Sequence, residues 1–324
     1  MIAGHDKAIE QFERAWTAGS LHHAWLLAGP KGVGKAHFAR LAATRVLADA
    51  AGPLAGLPRL ATPEEHPIAR LVEAGSHPDM RLLERLENPK TGALARNITV
   101  DQVRGLAELF DLTPSMSPWR AVVIDTADDF EKSAANALLK MLEEPPANCV
   151  FLLVSHAPGR LLPTIRSRCR TLTFQALGDD VMASILEMHL PALAPAERAR
   201  IIAKAGGSVG RAMAFAALDL ARLQDAATRI LRDGDPTNAR RSDLAIELGR
   251  KGAGERYGAF LDLVPSLIAR QARGLNGRQL ERALDAYAQS RELAALAPRL
   301  SLDPASTVFQ LGGILASVAP RKVP

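Results

Sequence analysis

A glycine-rich segment ending in a lysine is the part of this sequence best suited to chemistry. Residues 29–35 read Gly-Pro-Lys-Gly-Val-Gly-Lys, the GxxxxGK half of a phosphate-binding loop. Glycines let successive backbone N–H groups curl around a phosphate, the N-terminus of the next helix adds positive potential, and the lysine can reach the outer phosphates. The residues predicted to bind a nucleotide are Gly29, Gly32, Val33, Gly34, Lys35 and Ala36. The alternative is a glycine-rich turn with an exposed lysine.

The residue after that lysine departs from the motif. A complete phosphate-binding loop has Ser or Thr there, and its hydroxyl ligates the magnesium ion of the nucleotide. Ala36 has no hydroxyl. We therefore predict a degenerate loop that leaves the metal one ligand short, offers at most weak binding of ATP or ADP, and requires no cofactor.

One acid stands where a P-loop ATPase needs two. Asp125 ends an apolar run and is placed to organise magnesium, as the acid of a Walker B motif does; the alternative is a helix cap or a surface acid. The attacking water also needs a carboxylate, usually the next residue, and that residue is Thr126. Asp128 and Asp129 lie past the strand end, and we expect them to point elsewhere. Together with the missing hydroxyl, this change predicts that the chain does not hydrolyse ATP.

The elements that must position these residues alternate along the first half of the chain. Continuous apolar runs are typical of strands buried in a parallel sheet, and apolar residues three and four apart indicate helices. A capping box at Thr99 and Gln102 starts a predicted helix that continues to Phe110. The predicted strands are residues 24–28, 80–83, 120–125, 149–154 and 171–174, and the other helices are 6–18, the helix after the glycine-rich loop, and 133–144. This alternation predicts an α/β fold with helices on both faces of a parallel sheet.

Two further stretches complete the organisation. Residues 50–75 contain several glycines and prolines without periodicity, which predicts a loop. Beyond about residue 176 the pattern is helical throughout, with a linker at 233–236. The helices predicted there are 179–190, 195–205, 209–232, 240–251, 255–273, 277–295 and 305–318.

Composition limits the class of protein. The 324 residues are 48% hydrophobic and only 4% aromatic, so the core must be aliphatic. The net charge of +5 suits nucleic acid or an acidic partner, but charge alone favours an ordinary solvated surface. Cys149 and Cys169 form neither a disulfide framework nor a CxxC pair. No apolar run is long enough to cross a membrane and the N-terminus has no signal-peptide pattern, so we expect a cytoplasmic protein.

Several segments together resemble the AAA+ domain of sliding-clamp loaders, the family that serves bacterial DNA polymerase III. The resemblance is strong over residues 1–215 and weak beyond them. The segments that carry it are Asn-Ala-Leu-Leu-Lys-Met-Leu-Glu-Glu-Pro-Pro at 136–146, Phe-Leu-Leu-Val at 151–154 and Leu-Leu-Pro-Thr-Ile-Arg-Ser-Arg-Cys at 161–169. Gly4 with His5, residues 22–25, Ser-His-Pro-Asp at 76–79 and residues 98–104 agree with it.

The resemblance implies three domains and a multi-subunit machine. A RecA-like AAA+ domain is expected at residues 1–175, a small helical lid domain at 176–234, and an all-α collar for oligomerisation at 235–324. The collar of this family joins subunits into a five-membered ring, which opens a sliding clamp and places it on primer-template DNA. The family has a non-hydrolysing member, and this agrees with the degenerate loop. The expected partners are the other subunits, with the clamp and DNA reached through the complex, and no membrane.

The resemblance also implies roles for individual residues. Ser167, Arg168 and Cys169 match the family's Ser-Arg-Cys motif, whose arginine reaches the ATP of a neighbouring subunit. Ser155 matches the first sensor position, and Arg211 matches the sensor arginine of the lid. A surface arginine, flanked by two others, is the alternative for Arg168, and an arginine on a helix face is the alternative for Arg211.

One departure from the family concerns zinc. Relatives often carry a four-cysteine zinc module after the P-loop helix, and residues 50–75 contain no cysteine. His66 and His77 are too few for a structural zinc site, so we predict no metal and no zinc.

Two other functions compete with a non-hydrolysing subunit. The first is an active AAA+ ATPase, either a motor subunit of the same loader or a recombination helicase, and the missing hydroxyl and carboxylate argue against it. The second is a P-loop kinase for a small metabolite, although such kinases usually lack a long helical second half. The chain is therefore not expected to be an enzyme by itself.

Overall fold

The computed structural model of the chain describes residues 2–320, apart from residues 53, 55, 58–59, 88–93 and 219. Parts of the predicted loop at 50–75 and the last four residues of the predicted collar therefore lie outside the described residues. The chain divides into two units, Met1–Arg211 and Ala212–Pro324. This division does not coincide with the predicted boundaries near residues 176 and 235, and the three domains stay a prediction.

A five-stranded parallel sheet forms the centre of the first unit. The strands are β1 Ala24–Ala28, β2 Met80–Glu84, β3 Arg120–Asp125, β4 Cys149–Ser155 and β5 Arg170–Thr173. Their spatial order is β2-β3-β4-β1-β5. All neighbouring strands are parallel, so their carboxyl ends meet at one edge of the sheet. The predicted α/β fold is confirmed.

Helices cover both faces of this sheet because successive strand residues point to opposite sides. One core joins Trp25 and Leu27 of β1 to the helices α1 and α2, and the other joins Leu26 to the helices α4 to α6. The helices of this unit are α1 Asp6–Thr17, α2 Lys35–Ala51, α3 Pro67–Glu73, α4 Val100–Arg104, α5 Leu106–Asp111, α6 Lys132–Glu143, α7 Pro163–Arg166, α8 Asp179–His189 and α9 Pro195–Ala205. The helix α10, Val209–Leu218, begins in the first unit and ends in the second.

Two local predictions differ from the structure. The capping box at Thr99 and Gln102 is confirmed, but the helix that it starts is interrupted at Gly105 and becomes α4 and α5. The loop predicted at residues 50–75 is wrong for α3, because Pro67 occupies the first turn and the ring of His66 caps the helix. Such a short helix shows no periodicity in the sequence.

The second unit is helical over its described residues. Its further helices are α11 Leu220–Asp233, α12 Ala239–Leu248, α13 Gly254–Ala272, α14 Gly277–Leu300 and α15 Pro304–Val318. The predicted helix 209–232 is divided into α10 and α11. The other helices predicted in this half are present, but α12 ends at Leu248 instead of residue 251 and α14 continues to Leu300 instead of residue 295. A search of the described residues found no helix of the length and hydropathy needed to span a membrane.

Candidate functional site

The glycine-rich loop lies between β1 and α2, as predicted, and closes around the lysine side chain. Lys35 is 2% exposed, and its Nζ donates to the carbonyl oxygens of Gly29, at 2.6 Å, and of Pro30. Burial lowers the pKa of this ammonium group to about 8, although Asp128 and Asp125 act in the opposite direction. The alternative of an exposed lysine on a glycine turn is therefore wrong.

The carbonyl groups of the loop are bonded to the surrounding protein. His5 Nε2 donates to Val33 O at 2.7 Å, and Gly210 N donates to Gly32 O at 2.9 Å. The hydroxyl of Ser208 donates to Lys31 O at 3.1 Å. With the two bonds of the buried lysine, every carbonyl of residues 29–33 has a donor. The loop thus has a conformation that contacts within this unit hold in place.

The loop needs glycine at these positions for two reasons: a side chain would clash with neighbouring atoms, and the φ angles are positive. A Cβ on Gly29 would lie 2.1 Å from the carbonyl oxygen of Phe174. A Cβ on Gly32, where φ is +77°, would lie 2.4 Å from the hydroxyl oxygen of Ser208. Gly34 has φ +103° and leads directly into α2, so the helix N-terminus is aimed at the loop.

The acid at the end of β3 lies in the same region. Asp125 is partly buried, and burial raises its pKa while the positive charges of Arg40 and Lys35 oppose that rise. The next side chain is engaged elsewhere, because Thr126 Oγ1 lies 2.8 Å from Val154 O and 3.0 Å from Asp128 Oδ2. The methyl group of Ala36 packs against the hydrophobic core.

The expectation that Asp128 points away from this region is wrong. A single helical turn at Ala127–Asp129 brings its carboxylate back over the end of β4. There it accepts hydrogen bonds from Ser155 Oγ at 2.9 Å and from the backbone N–H groups of His156 and Ala157. Asp129 forms an ion pair with Arg85 at 3.0 Å, and its carboxylate also interacts electrostatically with Lys31 and Asp125. Spacing along the chain could not show that this turn folds back.

Ser155, the predicted first sensor, is fully buried at the end of β4. Its carbonyl accepts from Gly29 N at 3.3 Å, so β4 ends beside the start of the loop. The next residue, His156, was missed by sequence reasoning. Burial, with Lys35 as the next cause, lowers its pKa to about 4. The sequence did contain one signal for His156, namely its position directly after a strand predicted to be buried.

Arg168, the predicted arginine finger, follows α7 and lies beside the last residue of α6. Arg168 forms an ion pair with Glu143 at 2.7 Å, and its second terminal nitrogen donates to Thr164 O at 2.9 Å. Ser167 Oγ also donates to Thr164 O, at 3.1 Å. Burial raises the pKa of the Cys169 thiol to about 12, so this cysteine is uncharged and packs as an apolar group. The predicted role of Arg168 in a neighbouring site stays a prediction.

At the start of α10, the residue that touches the loop is Gly210. A Cβ on it would lie 3.1 Å from Gly32 Cα. Arg211 follows it, and the backbone N–H of Arg211 donates to Ser208 Oγ at 3.2 Å. The Ser208 hydroxyl thus caps α10 and bonds to the loop at once. The sensor role of Arg211 stays a prediction.

The zinc prediction concerns His66 and His77. His66 caps α3, and the Nδ1 atom of the buried His77 accepts from Asp79 N at 3.1 Å. Among the residues that the structure describes, no group of three or more His, Cys, Asp and Glu side chains could hold a metal ion. The absence of a metal stays a prediction.

Comparison with known proteins relates this geometry to one family. The sequence pattern of the family described as "DNA polymerase III, delta subunit" matches residues 4–178, more than half of the chain. DNA polymerase III subunit delta' of Pseudomonas aeruginosa is 37% identical over 188 residues, which cover 57% of this chain and 53% of that protein. The protein of the same name from Bacillus subtilis is 37% identical over 158 residues, which cover 48% of this chain and 43% of that protein.

A third relative carries a different subunit name. DNA polymerase III subunit gamma of Buchnera aphidicola is 29% identical over 187 residues, which cover 57% of this chain and 47% of that protein. This chain therefore spans about half the length of the curated relatives that it matches. The match to the family pattern extends from Gly4 through the glycine-rich loop and Arg168 to Gly178. The chain belongs to the DNA polymerase III delta subunit family.

Proposed function

We propose that this chain is a non-hydrolysing subunit of the DNA polymerase III clamp loader, of the delta-prime type. In this role it helps to load the sliding clamp onto primed DNA and donates an arginine to the ATP site of a neighbouring subunit. The similarity to proteins named DNA polymerase III subunit delta' and subunit gamma supports a place in this machine.

Two residues, Ala36 after the loop lysine and Thr126 after the acid of β3, support the non-hydrolysing part of the proposal. Ala36 has a methyl group where a magnesium ligand is needed. The hydroxyl of Thr126 is engaged by Val154 and Asp128. The carboxylate of Asp128 is in turn occupied by Ser155 and backbone N–H groups. A general base needs a lone pair within reach of its water, and these contacts leave that carboxylate in a structural role.

The placement of Arg168 supports action on a neighbouring subunit. Its guanidinium is about one-third exposed and is held by Glu143, itself about half exposed. An ion pair between such exposed groups stabilises the fold by about 1 kcal/mol or less. The arginine can therefore leave its partner at low cost and clamp phosphate oxygens with its planar fork of donors.

The helical unit Ala212–Pro324 supports a role in assembly. It displays Ile246 and Leu284, which are 59% and 52% exposed. Exposed apolar side chains on helices suit packing against other subunits. We assign this unit to a collar that joins a five-membered ring, with the clamp and primer-template DNA reached through the complex.

The test is ATP turnover by the purified chain and by the reconstituted loader. We expect negligible turnover by the chain alone and normal clamp-stimulated turnover by the loader that contains it. Lys35→Ala is the control, since it removes the phosphate-binding ammonium group. Steady turnover by the chain alone, near about one per second and abolished by Lys35→Ala, would identify an active ATPase.

A further inference from the structure

The carboxyl end of β4 brings one histidine beside the nucleotide-binding loop. Ala28, the last residue of β1, pairs with Ser155, the last residue of β4. Gly29, the residue after β1, continues this contact, because its N–H donates to Ser155 O at 3.3 Å. His156 therefore leaves the sheet where the loop begins. Its backbone N–H is bonded to the Asp128 carboxylate, which fixes the point from which its ring projects.

The ring of His156 is partly buried among charges, and its Nδ1 atom is shielded from solvent without a hydrogen-bond partner. A buried polar atom without a partner costs about 1–3 kcal/mol of stability, and such atoms are uncommon in folded proteins. The charged groups near the ring are Lys35 and Lys31 of the loop and Asp128 beyond β3. Asp125 acts on Lys35 from the end of β3.

These surroundings keep the ring neutral. Burial is the larger cause and Lys35 the next, and together they lower the histidine pKa to about 4. A phosphate chain beside the ring would reverse this balance, because an adjacent negative charge favours the protonated imidazole. The missing hydroxyl at Ala36 increases the need for such a charge, since magnesium has one ligand fewer with which to neutralise the phosphates.

We propose that His156 is a phosphate ligand of the glycine-rich loop, and that its ring takes up a proton when a nucleoside diphosphate or triphosphate binds. The inference goes beyond the proposed function in one respect, since it requires that the loop holds a nucleotide. Binding then supplies a positive charge from the protein at the moment when the phosphates arrive.

The experiment measures ADP binding to the full chain by calorimetry, in two buffers of different ionisation enthalpy. At pH 6.5 Lys35 is already protonated, because its pKa is about 8. Proton uptake at this pH therefore does not come from Lys35, and the ADP phosphate contributes equally in both chains. We expect more proton uptake by the wild-type chain than by His156→Gln, and this difference reports the histidine. His189→Gln is the matched control, because His189 is exposed at the end of α8.

A second readout is the pH dependence of affinity. One proton taken up on binding changes affinity by up to about tenfold per pH unit. We expect ADP to bind about three- to tenfold more tightly at pH 6 than at pH 8, relative to the same ratio in His156→Gln. The titration of the ADP phosphate is common to both chains and cancels in this comparison.

Three outcomes would overturn the inference. These are the same proton exchange on ADP binding in the wild-type chain and in His156→Gln, an unchanged pH profile in His156→Gln, and no ADP binding by the wild-type chain. A purely structural histidine would lower the melting temperature of His156→Gln and leave the pH profile unchanged. None of these outcomes touches the proposal of a non-hydrolysing subunit, which steady ATP turnover alone would contradict.

Discussion

Gly210 donates its backbone N–H to the carbonyl oxygen of Gly32 at 2.9 Å. The two backbones approach so closely that a Cβ on either glycine would meet the other segment. Ser208 strengthens this contact, since its hydroxyl donates to Lys31 O and caps α10 by accepting from Arg211 N. These hydrogen bonds hold the start of α10 against the glycine-rich loop. The predicted sensor, Arg211, follows the residue that makes the contact.

Removing the hydroxyl that joins α10 to the loop is expected to destabilise the first unit. Ser208→Ala loses both a helix cap and a hydrogen bond to Lys31 O, which should lower the free energy of unfolding by about 1–2 kcal/mol. Urea unfolding followed by circular dichroism measures this change. Ser184→Ala is the control, because its exposed hydroxyl only bonds to Asp180 O within α8. Equal stability of the two variants would show that the contact contributes nothing.

Magnesium should matter little to nucleotide binding by the natural chain. The loop N–H groups and Lys35 bind phosphate oxygens directly, whereas Ala36 offers the metal no ligand. Calorimetry with ADP should therefore give similar affinities with magnesium and with a chelator. Ala36→Ser should introduce magnesium dependence, and Ala51→Ser, at the exposed far end of α2, should not. A large loss of affinity on chelation in the natural chain would show that another residue ligates the metal.

Nucleotide affinity should fall above pH 8. Lys35 has a pKa of about 8 in the folded chain, so it is charged below this pH and loses its proton above it. Affinity for ADP should be nearly independent of this group below about pH 7, fall about twofold by pH 8, and then fall by up to about tenfold per pH unit. The terminal phosphate is already ionised in this range, since its second pKa is about 6. Lys140→Gln, on the exposed side of α6, should leave the profile unchanged. A flat profile up to pH 9.5 would contradict the prediction.

The loader that contains Arg168→Ala should assemble normally but turn over ATP more slowly in the presence of the clamp. An arginine supplied to a neighbouring site typically accelerates phosphoryl transfer by about 10³–10⁵. Only one site in a ring would face this chain, so the effect on the whole complex should be smaller. Arg166→Ala is the matched control, since Arg166 is exposed on the adjacent α7. If the loader with Arg168→Ala loads clamps as well as the wild type, Arg168 does not act on a neighbouring ATP site and the chain has a scaffolding role.

The sequence by itself determined the strands of the first unit and the chemistry of its loop. Strands buried in a parallel sheet are continuous apolar runs, and all five strands were predicted within one residue at each end. The cap at Thr99 was equally local, because both of its hydrogen bonds join residues three apart. The missing hydroxyl at Ala36 needed no structure, since a side chain that lacks a ligand atom lacks it in any fold.

Only the tertiary structure decided which groups meet around the loop. Asp128, His156 and Gly210 come from three distant parts of the chain, and the sheet order, the turn at Ala127–Asp129 and the docking of α10 bring them to one edge. No periodicity in the sequence encodes such meetings, because periodicity reports which face of an element is buried and not which element covers it. The burial that lowers the pKa of Lys35 and of His156 has the same origin. It depends on packing between elements, and packing exists only after the chain has folded.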